Sequence, residues 1–174
     1  VYITLMRYKF GDLTPYIYRS ANYGKSWNRL NRGMPNNMFA RVVREDPARE
    51  GLLYAGTENG IYISLDDGRN WQPFQLNLPT VPITDLTIRN NDLVASTQGR
   101  SFWILDDLTP LHQYSNRIKK SKMHFFNPRP SYRVSGSSSP SKTIGQNPPN
   151  GAVFHYYLKD KPNAVSYTHL RAHE

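Results

Sequence analysis

Apolar and polar residues alternate over short stretches of this chain, and turn-forming residues separate those stretches. A period of two is typical of half-buried β-strands, and no stretch keeps a helical period over three turns. Glycine, proline and asparagine punctuate the stretches as loop residues do. The pattern predicts strands near residues 1–8, 15–20, 39–44, 52–56, 60–65, 71–75, 84–89, 92–97 and 100–105, with a hairpin return after Trp27.

Two of these strands run into an eight-residue signature that occurs twice, 44 residues apart, as Ser-Ala-Asn-Tyr-Gly-Lys-Ser-Trp and Ser-Leu-Asp-Asp-Gly-Arg-Asn-Trp. The pattern predicts a tight turn, in which the acidic or amide side chain accepts hydrogen bonds from turn amides and the glycine adopts a positive φ. The tryptophan then folds back as an apolar plug. The signature residues are Ser20, Asn22, Gly24, Trp27, Ser64, Asp66, Gly68 and Trp71.

A weaker third copy follows when residues 53–60 are aligned with residues 93–100, an offset of 40 that places Arg100 on Gly60. This copy lacks the serine, the glycine and the final tryptophan, so its turn is degenerate. A period of 40 to 44 residues with about four short strands in each unit is typical of β-propeller blades.

The signature resembles the Asp-box, Ser-x-Asp-x-Gly-x-Thr-Trp, and residues 1–159 are similar to bacterial proteins described as sortilin-like or BNR-repeat glycosyl hydrolase-like. The resemblance implies an all-β fold, a partial β-propeller of about two and a half four-stranded blades. Asn22 stands where the box has aspartate, so we expect the first turn to be held more weakly. An incomplete ring also leaves two apolar blade faces open.

The resemblance and the composition together predict four segments. Residues 1–110 are expected to form the terminal blades, and residues 111–150 a basic linker rich in Pro, Ser and Gly. Residues 151–164 carry the first strand of a following β-sandwich, which lacks its own sheet and is therefore expected to be exposed or to join the propeller edge. Residues 165–174 resemble translated sequencing adapter of the kind found in metagenomic assemblies, so we expect a C-terminal fragment with a non-native tail.

The positive charge of the chain is concentrated in the linker. Residues 1–107 contain 12 Lys and Arg against 11 Asp and Glu, whereas residues 108–159 contain eight basic residues and no acidic one. Clustered basic residues can bind phosphate, but interleaved aromatic residues are too few for a stacking platform. We therefore interpret the segment as a solvated linker and expect no nucleic-acid partner.

Several other chemistries have no support in the sequence. Cysteine is absent, and the five histidines have no metal-binding spacing. Gly-rich phosphate loops and Gly-x-Ser-x-Gly elbows are also missing. No apolar run approaches the roughly 20 residues that a membrane helix needs. The sequence therefore predicts no metal, no cofactor and no membrane span.

Three residues outside the boxes are candidates for function. The box carboxylates themselves are expected at the outer rim, one blade apart, where they cannot share a substrate. Glu58 lies in a Thr-Glu-Asn-Gly turn that is similar to a carboxylate-bearing turn of xyloglucanase-like enzymes. Asp85 lies on an innermost strand that faces the expected channel, and Arg100 is a candidate for binding. For all three, a salt bridge or a solvated turn is the competing interpretation.

Two classes of function remain open. The first is an exported propeller, periplasmic, surface-bound or secreted by resemblance alone, that binds polypeptide or glycan without catalysis in these blades. The alternative is a xyloglucanase- or sialidase-like glycoside hydrolase whose catalytic carboxylates are shared with missing blades. A scaffolding role in assembly is a third possibility. The absence of a matched carboxylate pair favours binding, and the sequence leaves the oligomeric state open.

Overall fold

Short antiparallel strands are the main regular elements of the structure, a computed structural model that describes residues 1–131 and 151–160. The fold is predominantly β, as the sequence predicted. The chain divides into two units, Val1–Leu108 and Thr109–Glu174, and each is described by itself. The adapter-like tail and most of the predicted linker lie outside the described residues.

Every strand predicted for the first unit is present, with ends displaced by three residues or fewer. A single 3₁₀ turn, Tyr8–Phe10, joins the first two strands. The strands are β1 (Tyr2–Arg7), β2 (Asp12–Arg19), β3 (Asn28–Arg29), β4 (Ala40–Glu45), β5 (Leu53–Thr57), β6 (Gly60–Ser64), β7 (Gln72–Pro73), β8 (Ile83–Arg89), β9 (Asp92–Thr97) and β10 (Phe102–Leu105).

These strands form three sheets in which each strand pairs with its neighbour in sequence. The first sheet has the order β1-β2-β3, the second β4-β5-β6-β7 and the third β10-β9-β8. Strand β4 packs against β1 and β2 on one side and against β8 on the other. The second sheet therefore lies between the other two, and no sheet in the described residues closes on itself.

The main apolar cluster lies between the first and second sheets. Alternation along β5 turns Leu53 and Ala55 toward this cluster, and Ile17 of β2 meets them from the first sheet. The cluster consists of Ile17, Met34, Met38, Ala40, Val43, Leu53, Ala55 and Trp71. On the opposite face of β5, a side chain in place of Gly56 would lie 2.7 Å from Ile83 of the third sheet, so close packing requires glycine there.

The second-box tryptophan connects two sheets. Trp71 is 5% exposed, its indole Nε1 donates to the Leu30 carbonyl at 3.0 Å, and its backbone N–H donates to the Arg32 carbonyl at 2.8 Å. Both acceptors follow the last strand of the first sheet. Trp27, at the same place in the first box, is 39% exposed, because no preceding sheet covers it in the described part of the chain.

The third copy of the repeat contains one extra turn residue. Ala55 pairs with Tyr62, whereas Ala95 pairs with Trp103, so the offset increases from 40 residues on β9 to 41 on β10. The constant offset predicted from the sequence is therefore wrong beyond the turn. Since strand side chains alternate, the shift decides which residues share a face: Phe102 corresponds to Ile61, not to Tyr62.

The second unit differs from its prediction. It contains α1 (Thr109–Gln113), α2 (Asn116–Lys120), β11 (Met123–Phe125) and β12 (Tyr156–Leu158). The strand expected to be exposed or to join the propeller edge instead pairs with β11, because a nearby segment satisfies its backbone groups. The helices have only five residues each, too short for a recognisable period, so the linker prediction missed them.

The two box tryptophans give a matched test of the stacking of the sheets. Trp71→Ala is expected to lower the free energy of unfolding by about 3–5 kcal/mol, since it removes a buried ring that contacts both sheets. Trp27→Ala is expected to lower it by about 1 kcal/mol or less, because its ring is partly in water already. Urea unfolding of the full chain measures both. Equal losses would contradict the unequal packing described here.

Candidate functional site

The buried serine of each box holds its turn closed. Ser64 Oγ accepts a hydrogen bond from the Gly68 N–H at 2.9 Å and donates to the Asp66 carboxylate at 2.9 Å. Ser20 makes the same two bonds in the first box, at 2.8 and 3.1 Å. Both serines are buried. The two signatures, 44 residues apart, therefore fold into the same hydrogen-bonded turn.

The third residue of each box completes the clamp. Asp66 accepts the Asn70 backbone N–H at 2.9 Å through Oδ1 and the Asn70 side-chain amide at 2.6 Å through Oδ2. Asn22 accepts the Ser26 backbone N–H at 2.9 Å and donates its own amide to the Ser26 hydroxyl at 2.9 Å. The Asn22 amide thus makes as many hydrogen bonds in its turn as the Asp66 carboxylate makes in the second. The weaker hydrogen bonding that we expected for the first turn is not seen in its distances.

Two consecutive residues in each box have left-handed backbone conformations. The φ angles are 55° at Tyr23 and 84° at Gly24 in the first box, and 64° at Asp67 and 78° at Gly68 in the second. Positive φ at both central residues defines a type I′ turn, which favours glycine. A side chain at Gly68 would also lie 2.6 Å from the end of the Leu30 side chain, which would have to move.

The hydrogen bonds of the second box affect the acidity of its carboxyl group. Partial burial alone raises the pKa of Asp66, but hydrogen bonds from the side chain and backbone of Asn70 and from the Ser64 hydroxyl outweigh burial. The pKa is therefore held below its ordinary value. Both carboxylate oxygens accept hydrogen bonds within the turn. This arrangement is that of a turn clamp, as the sequence predicted for the box carboxylates.

The next residue, Asp67, links the second box to the first sheet. Its carboxylate forms an ion pair with Arg19 and accepts a hydrogen bond from the Tyr2 hydroxyl. Burial, followed by the hydrogen bond and the negative charge of Asp67, raises the pKa of Tyr2. The neutral phenol therefore remains the hydrogen-bond donor across the physiological range. This contact also has a structural role, because it joins two sheets.

Glu58 lies in the turn between β5 and β6, where Arg41 of β4 binds it. Arg41 contacts Glu58 Oε2 through Nε at 2.8 Å and through Nη2 at 2.7 Å. The guanidinium also lies over the Phe39 ring, 5.1 Å from its centre, and Thr4 of β1 donates to the Arg41 carbonyl at 2.9 Å. The glutamate is thus part of a partly buried cluster that fixes Arg41 between two sheets.

Asp85, at the start of β8, forms a corresponding pair with Arg44. The Arg44 Nη2 atom lies 2.8 Å from Asp85 Oδ1, and its Nε donates to the Leu86 carbonyl at 3.0 Å. Asp85 also accepts the Leu86 backbone N–H at 2.8 Å. The pair is largely exposed and joins the second sheet to the third. The structure gives each candidate carboxylate its own arginine.

Arg100 occupies a different place from the one the constant offset gave. The threonine that begins the β5–β6 turn donates to the Gly60 carbonyl at 2.8 Å, and the threonine that begins the β9–β10 turn donates to that of Ser101 at 2.7 Å. Ser101 therefore corresponds to Gly60, and Arg100 corresponds to Asn59. The Arg100 side chain is exposed at the turn, and none of the contacts described for it assigns a ligand.

Sequence reasoning did not find Arg41 and Arg44, the partners of the two carboxylates. Arg41 is the extra residue of a β-bulge in β4, and Thr84 is the extra residue at the corresponding place in β8. A bulge turns its residue away from the regular alternation. No turn residue near the repeated bulge reveals it, so the local sequence contains no signal for it.

Among the residues that the structure describes, no group of three or more His, Asp or Glu could hold a metal ion, and no helix has the length and apolar character of a membrane crossing. No protein-family model matches this chain, and no curated protein matches it. The resemblance to Asp-box proteins therefore remains a prediction from the two eight-residue signatures.

The acidity of Asp66 makes a testable prediction. Because its folded pKa lies below the ordinary value of about 3.9, its carboxylate stabilises the fold above that pH, and this contribution is lost as pH falls through the folded pKa. Asp66→Asn should keep the turn, as Asn22 does in the first box. The free energy of unfolding of this variant should therefore fall less on acidification from about pH 6 to about pH 2.5.

Urea unfolding at several pH values measures this difference. Asp106→Asn is the matched control, since Asp106 is also exposed but belongs to no box turn in the structure. This control should follow the wild-type pH dependence. If Asp66→Asn follows it too, the carboxylate does not clamp the turn in the way described.

Proposed function

We propose that Val1–Leu108 form blades of an Asp-box β-propeller and that the protein is exported and binds polypeptide or glycan. No catalysis is assigned to these blades. The observation that carries the proposal is that the two box turns share one hydrogen-bond pattern, in which the third box residue, Asn22 or Asp66, accepts hydrogen bonds within its own turn. Export follows from the resemblance to sortilin-like and BNR-repeat proteins.

Exposed apolar residues on the two outer faces of the sheet stack favour the presence of further blades. Ile61 and Ile63 of the second sheet are buried, whereas their counterparts Phe102 and Ile104 in the third sheet are 73% and 59% exposed. At the opposite end of the stack, Leu5 is 47% exposed. Apolar faces such as these are usually covered in a repeat protein, since each repeat buries its surface against a neighbour.

The ion pairs favour binding over hydrolysis. A glycoside hydrolase uses two carboxyl groups about 5–10 Å apart across the sugar bond, one of them as an acid. Glu58 and Asp85 each contact an arginine at 2.8 Å or less, and these arginines tie neighbouring strands together. Pairing of each carboxylate with its own arginine is typical of structural carboxylates, so the proposed function needs no reaction at either residue.

A ligand screen with the full chain tests the proposal. Immobilised polypeptide and glycan libraries should give saturable binding, and a parallel hydrolysis screen on the same glycans should give no turnover. Hydrolysis that depends on Glu58 would overturn the proposal in favour of the glycoside hydrolase. Absence of binding to either library would also count against it.

The Glu58→Gln variant separates the two roles of this residue. We expect unchanged ligand binding and a fall in the free energy of unfolding of less than about 1 kcal/mol, because the variant weakens one partly exposed ion pair. Glu50→Gln is the matched control, since Glu50 is exposed and lies outside the Arg41 cluster. Loss of a glycan-cleaving activity in the Glu58 variant alone would contradict a structural role.

A further inference from the structure

An apolar cleft opens between the second and third sheets, beside the outer edge strand β10. It contains about 410 Å³ of empty volume, part of it open to solvent. Every residue that lines it belongs to the first unit. Its lining includes Ile61, Phe74, Leu76, Leu93, Ala95 and Trp103.

One wall of this cleft repeats the wall that holds Trp71. The Leu30 N–H donates to the Ile17 carbonyl at 2.8 Å, and the Phe74 N–H donates to the Ile61 carbonyl at 2.8 Å, 44 residues later in each case. The chain after β7 thus follows the chain after β3 at an offset of 44 residues, except that the left-handed residue is Leu76 (φ 47°) in the second stretch and Gly33 (φ 92°) in the first. The first stretch covers Trp71 in the structure, and the second lines the cleft.

The opposite wall repeats in the same way. Ala55 and Tyr62 are cross-strand partners in the second sheet and pack in the cluster around Trp71. Their counterparts in the third sheet are Ala95 and Trp103, which are also cross-strand partners and line the cleft. The cleft is therefore the third-copy equivalent of the tryptophan socket. The third copy of the repeat has lost the tryptophan itself.

The filled socket shows which groups an occupant would meet. Trp71 donates its indole N–H to the Leu30 carbonyl and its backbone N–H to the Arg32 carbonyl. The carbonyl at the cleft that corresponds to that of Leu30 is the Phe74 carbonyl. A ligand that fits is a flat apolar ring with one N–H donor on its edge, which is the chemistry of a tryptophan side chain.

The free edge of β10 indicates how such a ring would arrive. In the second sheet, the strand that follows the box, β7, pairs with β6 and begins directly after Trp71. In the third sheet β10 corresponds to β6 and is an edge strand, with no further strand beside it in the described residues. An extended peptide can add to such an edge through main-chain hydrogen bonds.

One difference between the two sockets limits the geometry. A side chain at Gly33 would lie 2.2 Å from the Trp71 carbonyl oxygen, and Asn77 stands at the corresponding place beside the cleft. A bound segment therefore cannot place its main chain where that of Trp71 lies. The ring, rather than an identical ladder of backbone bonds, would supply most of the recognition.

We propose that this cleft binds a tryptophan side chain from an extended segment of a partner polypeptide, which lies along the outer edge of β10. The inference deepens the proposed binding function and rests on it for the choice of a polypeptide as ligand. The position of the binding site and the choice of tryptophan as the bound residue follow from the comparison of the repeats. The occupied socket between the first and second sheets is the internal precedent.

Fluorescence anisotropy with the full chain tests this inference. The probe is a fluorescein-labelled synthetic peptide with the sequence of residues 66–75, Asp-Asp-Gly-Arg-Asn-Trp-Gln-Pro-Phe-Gln, and the control peptide has alanine in place of tryptophan. We expect saturable binding of the first peptide and at least about tenfold weaker binding of the second. Equal affinities, or no saturation up to about 1 mM, would overturn the inference.

Two variants of the chain locate the site. Leu76→Asn removes an apolar wall from the cleft at a residue that is 64% exposed and has φ 47°, a conformation that asparagine tolerates well. It should weaken peptide binding about fivefold or more. Phe10→Asn is the matched control, since Phe10 is 82% exposed and lies outside the cleft, and it should bind as the wild type does.

Unfolding midpoints of both variants should equal that of the wild type, which separates loss of the site from loss of the fold. Equal weakening in both variants, or in neither, would overturn the assignment to the cleft. If the tryptophan peptide fails while the library screen finds another polypeptide or a glycan, only this inference fails. If both fail, the proposed binding function fails as well.

Discussion

The packing of Trp71 between two sheets is the interaction on which the first unit depends. Its ring fills the cluster between the first and second sheets, and its two N–H groups bind carbonyls that follow the last strand of the first sheet. The strand it precedes, β7, has only two residues and could not hold its place by pairing alone. The hydrogen-bonded box turn fixes the backbone just before Trp71 and so orients the indole. The local turn and the stacking of the sheets therefore stabilise each other.

Polar contacts also join the sheets, at both of the boundaries between them. Asp67 binds Arg19 and Tyr2 of the first sheet, and Arg44 binds Asp85 of the third. Partly exposed ion pairs contribute little free energy, because water competes for both partners. Their effect is to select one alignment of surfaces that apolar burial alone would hold less specifically. The acidic residues that first suggest chemistry are therefore explained by the assembly of the sheets.

The departure of the third copy from the repeat leaves an apolar cleft beside β10. An extra residue in the β9–β10 turn shifts β10 by one position, and the copy lacks the tryptophan that fills the equivalent socket. The walls of the socket are nevertheless retained, from Phe74 on one side to Trp103 on the other. The third copy keeps the residues that line the socket but lacks the tryptophan that would fill it, so an apolar cleft remains. Positions where a sequence departs from its own repeat are often functional.

The sequence by itself determined the strands and the box turns, because each depends on period-two alternation or on turn residues within a few positions. Only the tertiary structure decided the arginine partners of Glu58 and Asp85, the bulge at Arg41 and the pairing of β12 with β11. The two ion pairs join residues that are 17 and 41 positions apart in the sequence. Local patterns contain no information about which distant side chain arrives there, since packing of whole sheets determines that choice.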